Sequence, residues 1–166
     1  MDIHCQVGKE PKDDREYFEQ MTKAVFRSGF SWQVIESKWP GFQKAFAHFS
    51  IVDVADFDEP DIDRLLQDKG IVRNNRKIRA TINNAREILM ILNEYDSFHK
   101  YLDEVSQEGE EKLCKTLSKR FAHLGQTTSM FFLRAVGLEM SQMISEWKKG
   151  RENRLSRMPL IKSMRG

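Results

Sequence analysis

The chain has 166 residues, 40% hydrophobic and 31% charged, with a formal net charge of +2 at pH 7. That length carries one domain with a real core, or two small lobes sharing a cleft, and the composition is that of an ordinary globular protein. The small net charge excludes an overall basic field of the kind that gathers nucleic acid without a dedicated site. Cys5 and Cys114 are too few for a disulfide framework and suit a reducing compartment, the cytoplasm or nucleoid. No apolar run reaches membrane-spanning length, and residues 1–12 are polar and mixed in charge, unlike a signal peptide.

Apolar positions recur at spacings of three and four, which predicts an all-α chain. Residues 1–12 are expected to be a flexible segment. The first helix starts at Asp13-Asp14, buries Tyr17, Phe18, Met21, Val25 and Phe26, and ends at Gly29. A second helix is predicted over 31–38, stopped by Trp39-Pro40-Gly41, with a separate short helix over 42–49. Residues 51–57 read as a loop and a short helix. Glu59-Pro60-Asp61 opens the next helix, with Gly70 as its C-cap. Further helices are predicted over 74–92, 97–105 and 111–121. A long one over 127–147 follows, with a candidate break at Gly137. From residue 148 onward Lys148, Lys149, Arg151, Arg154, Arg157, Lys162 and Arg165 stand against Glu152 alone. This basic tail, 148–166, could add phosphate contacts or simply be a solvated terminus. Many modest helices with short connections suggest a compact orthogonal bundle.

Residues 120–137 read as helix, tight glycine turn, helix. Such a turn can present consecutive backbone N–H groups beside a helix N-terminus, which is a grip for phosphate. Gly125 would let the backbone approach a nucleic-acid strand closely. Thr127 and Thr128 could cap the following helix and donate hydroxyls to phosphate oxygens, with Lys119 and Arg120 adding positive charge. The same pattern also fits an ordinary helix corner.

The order and spacing of several segments carry a more specific signal. Gly29-Phe30-Ser31-Trp32 is followed by Phe42, Phe46 and Phe49. Gly70-Ile71-Val72-Arg73-Asn74 follows, then Lys77-Ile78, Asn84-Ala85-Arg86, and the hairpin from Gly125. Together, over residues 13–138, these resemble the DNA-3-methyladenine glycosylase I family, a branch of the helix-hairpin-helix DNA glycosylases. The resemblance implies an all-α, helix-hairpin-helix glycosylase-type domain over 13–147. Its activity would be excision of alkylated bases from duplex DNA by hydrolysis of the base–sugar bond after the base is flipped out. It implies that the flipped base stacks on Trp32 and that Gly29 and Phe30 form the wedge filling the vacated space. Gly125, Gln126, Thr127 and Thr128 would hold the DNA backbone, with Arg73 and Lys77 supporting the cleft or touching phosphate. The expected partner is duplex DNA with an alkylated base, met by a monomeric chain in the cytoplasm, associated with the nucleoid.

Three departures accompany this resemblance. The family's base-reading glutamate falls at Ala24, and the positions after it are Val25, Phe26 and Arg27, so a polar reader is replaced by apolar surface. The family's Cys/His zinc site is not retained, since His4 and Cys5 cannot make four ligands and no His or Cys follows Leu138; no metal or other cofactor is expected. The catalytic residue is unassigned. Glu36, four residues after Trp32, is the candidate that could reach the same pocket. In this branch a cationic base already leaves readily, so no aspartate is required. The alternative to an enzyme is a DNA-binding, damage-recognition module that keeps the fold without excising.

Overall fold

The computed structural model describes residues 7–159, which contain nine α-helices and no strand. They are α1 (Asp14–Arg27), α2 (Trp32–Ala45), α3 (Ile51–Ala55), α4 (Glu59–Gln67), α5 (Asn75–Glu94), α6 (Phe98–Ser106), α7 (Glu110–Arg120), α8 (Gln126–Ala135) and α9 (Ser141–Ser156). Helices α1 and α5 organise the bundle: α1 packs against α2, α5, α6 and α8, and α5 against α3, α4 and α6. The all-helical bundle is the architecture expected from the periodicity. Among the described residues no helix is long and apolar enough to cross a membrane.

Helix starts follow from short polar residues. Asp13, Ser31, Asp58, Asn74 and Ser97 each accept a backbone N–H from the first turn of the helix they open. These side chains satisfy donors that a helix leaves orphaned. Asp58 and Asp61 form a reciprocal capping box, with Pro60 in the first turn.

Four expectations are corrected. Helix α2 does not stop before Trp39; it runs through Pro40 to Ala45. Proline removes one intrahelical bond, but Trp39 and Phe42 on either side are anchored in the core, and tertiary packing outweighs that loss. At Gly41 the chain needs glycine, because a Cβ there would lie 2.3 Å from the Gly70 carbonyl oxygen. Gly70 itself is not the cap of α4. Asp68 is, and its Oδ1 accepts from the Gly70 N–H at 2.8 Å. The long helix predicted over 127–147 is two helices: Gly137 (φ 102) and Met140 (φ 50) turn the chain between α8 and α9. Finally, α9 extends to Ser156, so residues 148–156 are helical; residues 160–166, with Lys162 and Arg165, lie outside the described residues. At the other end, His4 and Cys5 lie outside them too. Within residues 7–12, the Gly8 N–H donates to the Arg134 carbonyl at 2.8 Å.

The core between α1 and α2 is aromatic. Trp39 stacks on Phe42 (centroids 5.0 Å apart) and on Phe49 (5.3 Å), Phe46 stacks on Phe49 (6.0 Å), and Phe26 meets Phe42 edge-on at 4.7 Å. Such offset and edge-to-face pairs add to the area they bury. One carboxylate enters this core. Glu19 accepts from Trp39 Nε1 at 2.8 Å, Gln43 Nε2 at 3.0 Å and Arg15 at 3.0 Å. Burial alone would raise its pKa, but the hydrogen bonds from Trp39, Gln43 and Arg15 outweigh burial and hold it below the ordinary glutamate value.

Candidate active site

The turn after α1 is held open by a buried lysine. Gly29 (φ 82) reverses the chain, and the Phe30 N–H closes the turn on the Arg27 carbonyl at 3.0 Å. Lys77, in the first turn of α5, is 6% exposed. Its Nζ donates to the carbonyls of Phe26 (3.2 Å) and Ser28. A cation at the C-terminal end of α1 meets the negative end of the helix dipole and its unpaired carbonyls. Burial lowers the Lys77 pKa. The same Nζ lies 4.9 Å from the Phe30 ring centroid. Of the two expectations for Lys77, supporting the cleft or touching phosphate, the structure shows its ammonium engaged inside the protein at the carbonyls before the Gly29-Phe30 turn. Phe30 projects from that turn, 44% exposed.

The glycine hairpin lies across from this turn. Leu124 is buried, and the Ser129 hydroxyl donates to its carbonyl at 2.9 Å. Asn84 on α5 pins the loop from the other side, donating to the Ala122 carbonyl (3.0 Å) and accepting from the Ala122 N–H (2.8 Å). Gly125 is the N-cap of α8, and no side chain caps that helix. Thr127 and Thr128 thus sit inside the first turn and do not cap it. Gly125, Gln126 and Thr127 are exposed and Thr128 is half-buried. Gly125 has φ −59, and the space a Cβ would occupy there is open, so the fold itself does not require glycine at this position. Arg120 is engaged with Glu87 at 3.3 Å and lies over the Tyr101 ring; Arg73, on the loop before α5, is exposed.

Turn and hairpin border one cavity of about 470 Å³, a size typical of small-molecule sites. Its walls bring together Ala24, Ser28, Gly29 and Phe30 from the end of α1, Thr127, Thr128 and Phe131 from α8, and Trp147 and Arg151 from α9. Gln20, Lys23 and Arg27 on α1 complete the polar wall. Trp32 is half-buried at the start of α2 and does not line this cavity; the indole that does is Trp147. Trp147 meets Phe131 edge-on at 5.3 Å, and the Arg151 guanidinium lies 5.6 Å from its ring centroid. Glu36 does not line the cavity either. It is exposed and bound at 2.9 Å to Lys23, which does line the cavity. Sequence reasoning missed Trp147 and Arg151. The available signal was their spacing of four, one turn apart on one helix face.

Among the described residues no group of three or more His, Cys, Asp or Glu side chains could hold a metal ion. Cys114 is buried, and its thiol pKa is pushed up to about 11 by burial and then by Glu110, the opposite of what a thiolate ligand needs. Cys114 is therefore not suited to hold zinc.

A helical bundle with an exposed aromatic turn and a glycine hairpin facing one cavity has the architecture of an all-α DNA glycosylase. The 3-methyladenine DNA glycosylase I of Staphylococcus aureus superposes with a TM-score of 0.72 at 28% identity, over 81% of this chain and 82% of that one. DNA-3-methyladenine glycosylase 1 of Escherichia coli K12 is 31% identical over 150 residues, 79% of this chain and 80% of that protein. The DNA-3-methyladenine glycosylase of Haemophilus influenzae is 26% identical over 150 residues, 79% of this chain and 81% of that protein. The model of the methyladenine glycosylase family matches residues 5–112. The chain belongs to that family.

Proposed function

We propose that this protein, a cytoplasmic monomer, excises alkylated bases from duplex DNA, the first step of base-excision repair. The carrying observation is that the Gly29-Phe30 turn and the Thr127-Thr128 hairpin border the same cavity. A strand held at the hairpin by the open N–H groups of Gln126, Thr127 and Thr128 would lie beside an exposed Phe30 that can fill the gap left by a flipped base. On this reading Gly125 and Arg73, both exposed, meet the backbone, and Trp32 flanks the turn at the start of α2. Membership of a family whose named relatives are 3-methyladenine glycosylases supports the reaction class. Lys77 serves by fixing the wedge.

A second reading is favoured by one observation: among the described residues no carboxylate lines the cavity, and Ala24 stands where the family reads the base. On that reading the fold binds damaged DNA without cleaving the base–sugar bond. Release of free base from methylated duplex DNA decides between them. Release by the wild type, lost in Trp147→Ala and weakened in Phe30→Ala, establishes the glycosylase. Salt-sensitive duplex binding with no release establishes the binding module.

A further inference from the structure

Charge is unevenly divided along this chain. Of its 27 Lys and Arg, seven lie from residue 141 onward, and of its 25 Asp and Glu only two do. That leaves a net charge of −3 on residues 1–140 and +5 on residues 141–166. The wedge and the hairpin thus belong to a body of net negative charge, which by itself repels a polyanion. Several of that body's cations are engaged by the protein: Lys77 on the carbonyls before the wedge, Lys23 on Glu36 and Arg120 on Glu87.

Helix α9 brings the opposite charge to the same site. Its first half is fixed to the body: Ile144 is 6% exposed, the Met143 N–H donates to Glu110 at 3.0 Å, and Trp147 packs edge-on against Phe131. Its end stands clear, with every residue from Arg151 to Ser156 exposed. Trp147 and Arg151 line the cavity that Thr127 and Thr128 of the hairpin also line. Arg154 follows Arg151 by three and so continues the same helix face toward solvent. The Arg151 guanidinium lies 5.6 Å from the Trp147 ring centroid. Stacking on a ring engages the flat face of a guanidinium and leaves its N–H edge for a phosphate. Among the described residues no salt bridge uses Arg151 or Arg154.

We infer that the exposed end of α9 is a second DNA-backbone contact, in which Arg151 and Arg154 bind phosphates of the strand seated at the glycine hairpin. The inference rests on the reading of this cavity as the base site. The two contacts differ in kind. The hairpin offers neutral N–H donors, which position a strand. Helix α9 offers full charges, which displace counterions from the DNA and so carry affinity. A strand held between them crosses the cavity mouth.

The test is duplex binding by the full chain, read by fluorescence anisotropy over a salt series, with methylated and unmethylated duplexes of one sequence. The double variant Arg151→Gln/Arg154→Gln should lower the steepness of log K against log salt by about 2. Its Tm should be unchanged, and both duplexes should bind several-fold more weakly and to the same extent. Arg154→Lys keeps the charge and should keep the wild-type slope. Lys149→Gln is the control for charge alone, because Lys149 points about 160° away from Arg151 around the helix; its slope should match the wild type. An unchanged slope in the double variant, or a fall of about 1 in Lys149→Gln, would overturn the inference. So would a loss confined to the methylated duplex, which would make the arginines base contacts, or tighter binding to duplex RNA than to DNA. Base release separates the α9 contact from the proposed excision. A lowered slope with no free base released leaves the contact standing and removes the excision; release with an unchanged slope does the reverse. No duplex binding by the wild type overturns both.

Discussion

Helix α1 has two working faces that obey different rules. One face, with Phe18, Val25 and Phe26, is at most 1% exposed and closes against the aromatic rings of α2 and its following turn. Its one carboxylate, Glu19, has three hydrogen-bond donors. The other face, with Lys23, Ala24 and Arg27, looks into the cavity. The difference shows where this molecule puts its stability and where it leaves room for a ligand. A core face is set by packing, and a polar group survives there only when fully paired. A cavity face keeps long polar and charged side chains because water or a ligand can meet them.

The sharpest way to break this division is to truncate one residue on each face. Phe26→Ala should destabilise the fold by about 3–5 kcal/mol, read by thermal unfolding. Lys23→Ala should change stability by less than about 1 kcal/mol, since its pair with Glu36 is partly exposed. Equal losses would show that both faces are structural. Next in size, Glu19→Ala leaves the Trp39 indole N–H and Gln43 without their acceptor and should cost about 2–3 kcal/mol.

Glu19 also predicts a pH dependence. Its folded pKa lies below the ordinary value of 4.5. Its stabilisation is therefore present above that value and is lost as pH falls through the lower folded pKa. Acid unfolding compared between wild type and Glu19→Gln measures this; identical acid midpoints would remove Glu19 from the account. Lys77→Met, which removes the donor to Phe26 and Ser28, should cost about 1–2 kcal/mol and weaken duplex binding by loosening the Phe30 turn. If binding falls while stability is unchanged, Lys77 meets DNA directly after all. The smallest structural effect belongs to Gly125→Ala. With negative φ and open space, stability should stay within about 0.5 kcal/mol. Several-fold weaker duplex binding would then report a strand approaching the backbone at that position.

Much of the fold was legible. Asp13, Ser31 and the Glu59-Pro60-Asp61 run marked helix starts because a cap is a contact within one turn, readable from adjacent residues. The break between α8 and α9 was signalled by Gly137 for the same reason. The passage of α2 through Pro40 was not legible: the local signal says stop, and the contacts that overrule it come from Phe49 and Phe26, outside the helix. The site was half legible. Gly29, Phe30, Thr127 and Thr128 do border one cavity. Trp32 and Glu36 lie on the right helix but outside the cavity lining. Lys77 reads as a surface lysine until its partners, about fifty residues earlier, are known.

By itself, then, the sequence determined the helical class, most element boundaries, the family and the segments that face the cavity. Those follow from period, caps and ordered motifs along the chain. Only the tertiary structure decided which indole lines the cavity, that α9 closes its far wall with Trp147 and Arg151, and that the lining holds three cations and, among the described residues, no acid. The physical reason is distance along the chain. Residues 24 and 147 share a wall only after the bundle forms, and neither carries a local mark of the other.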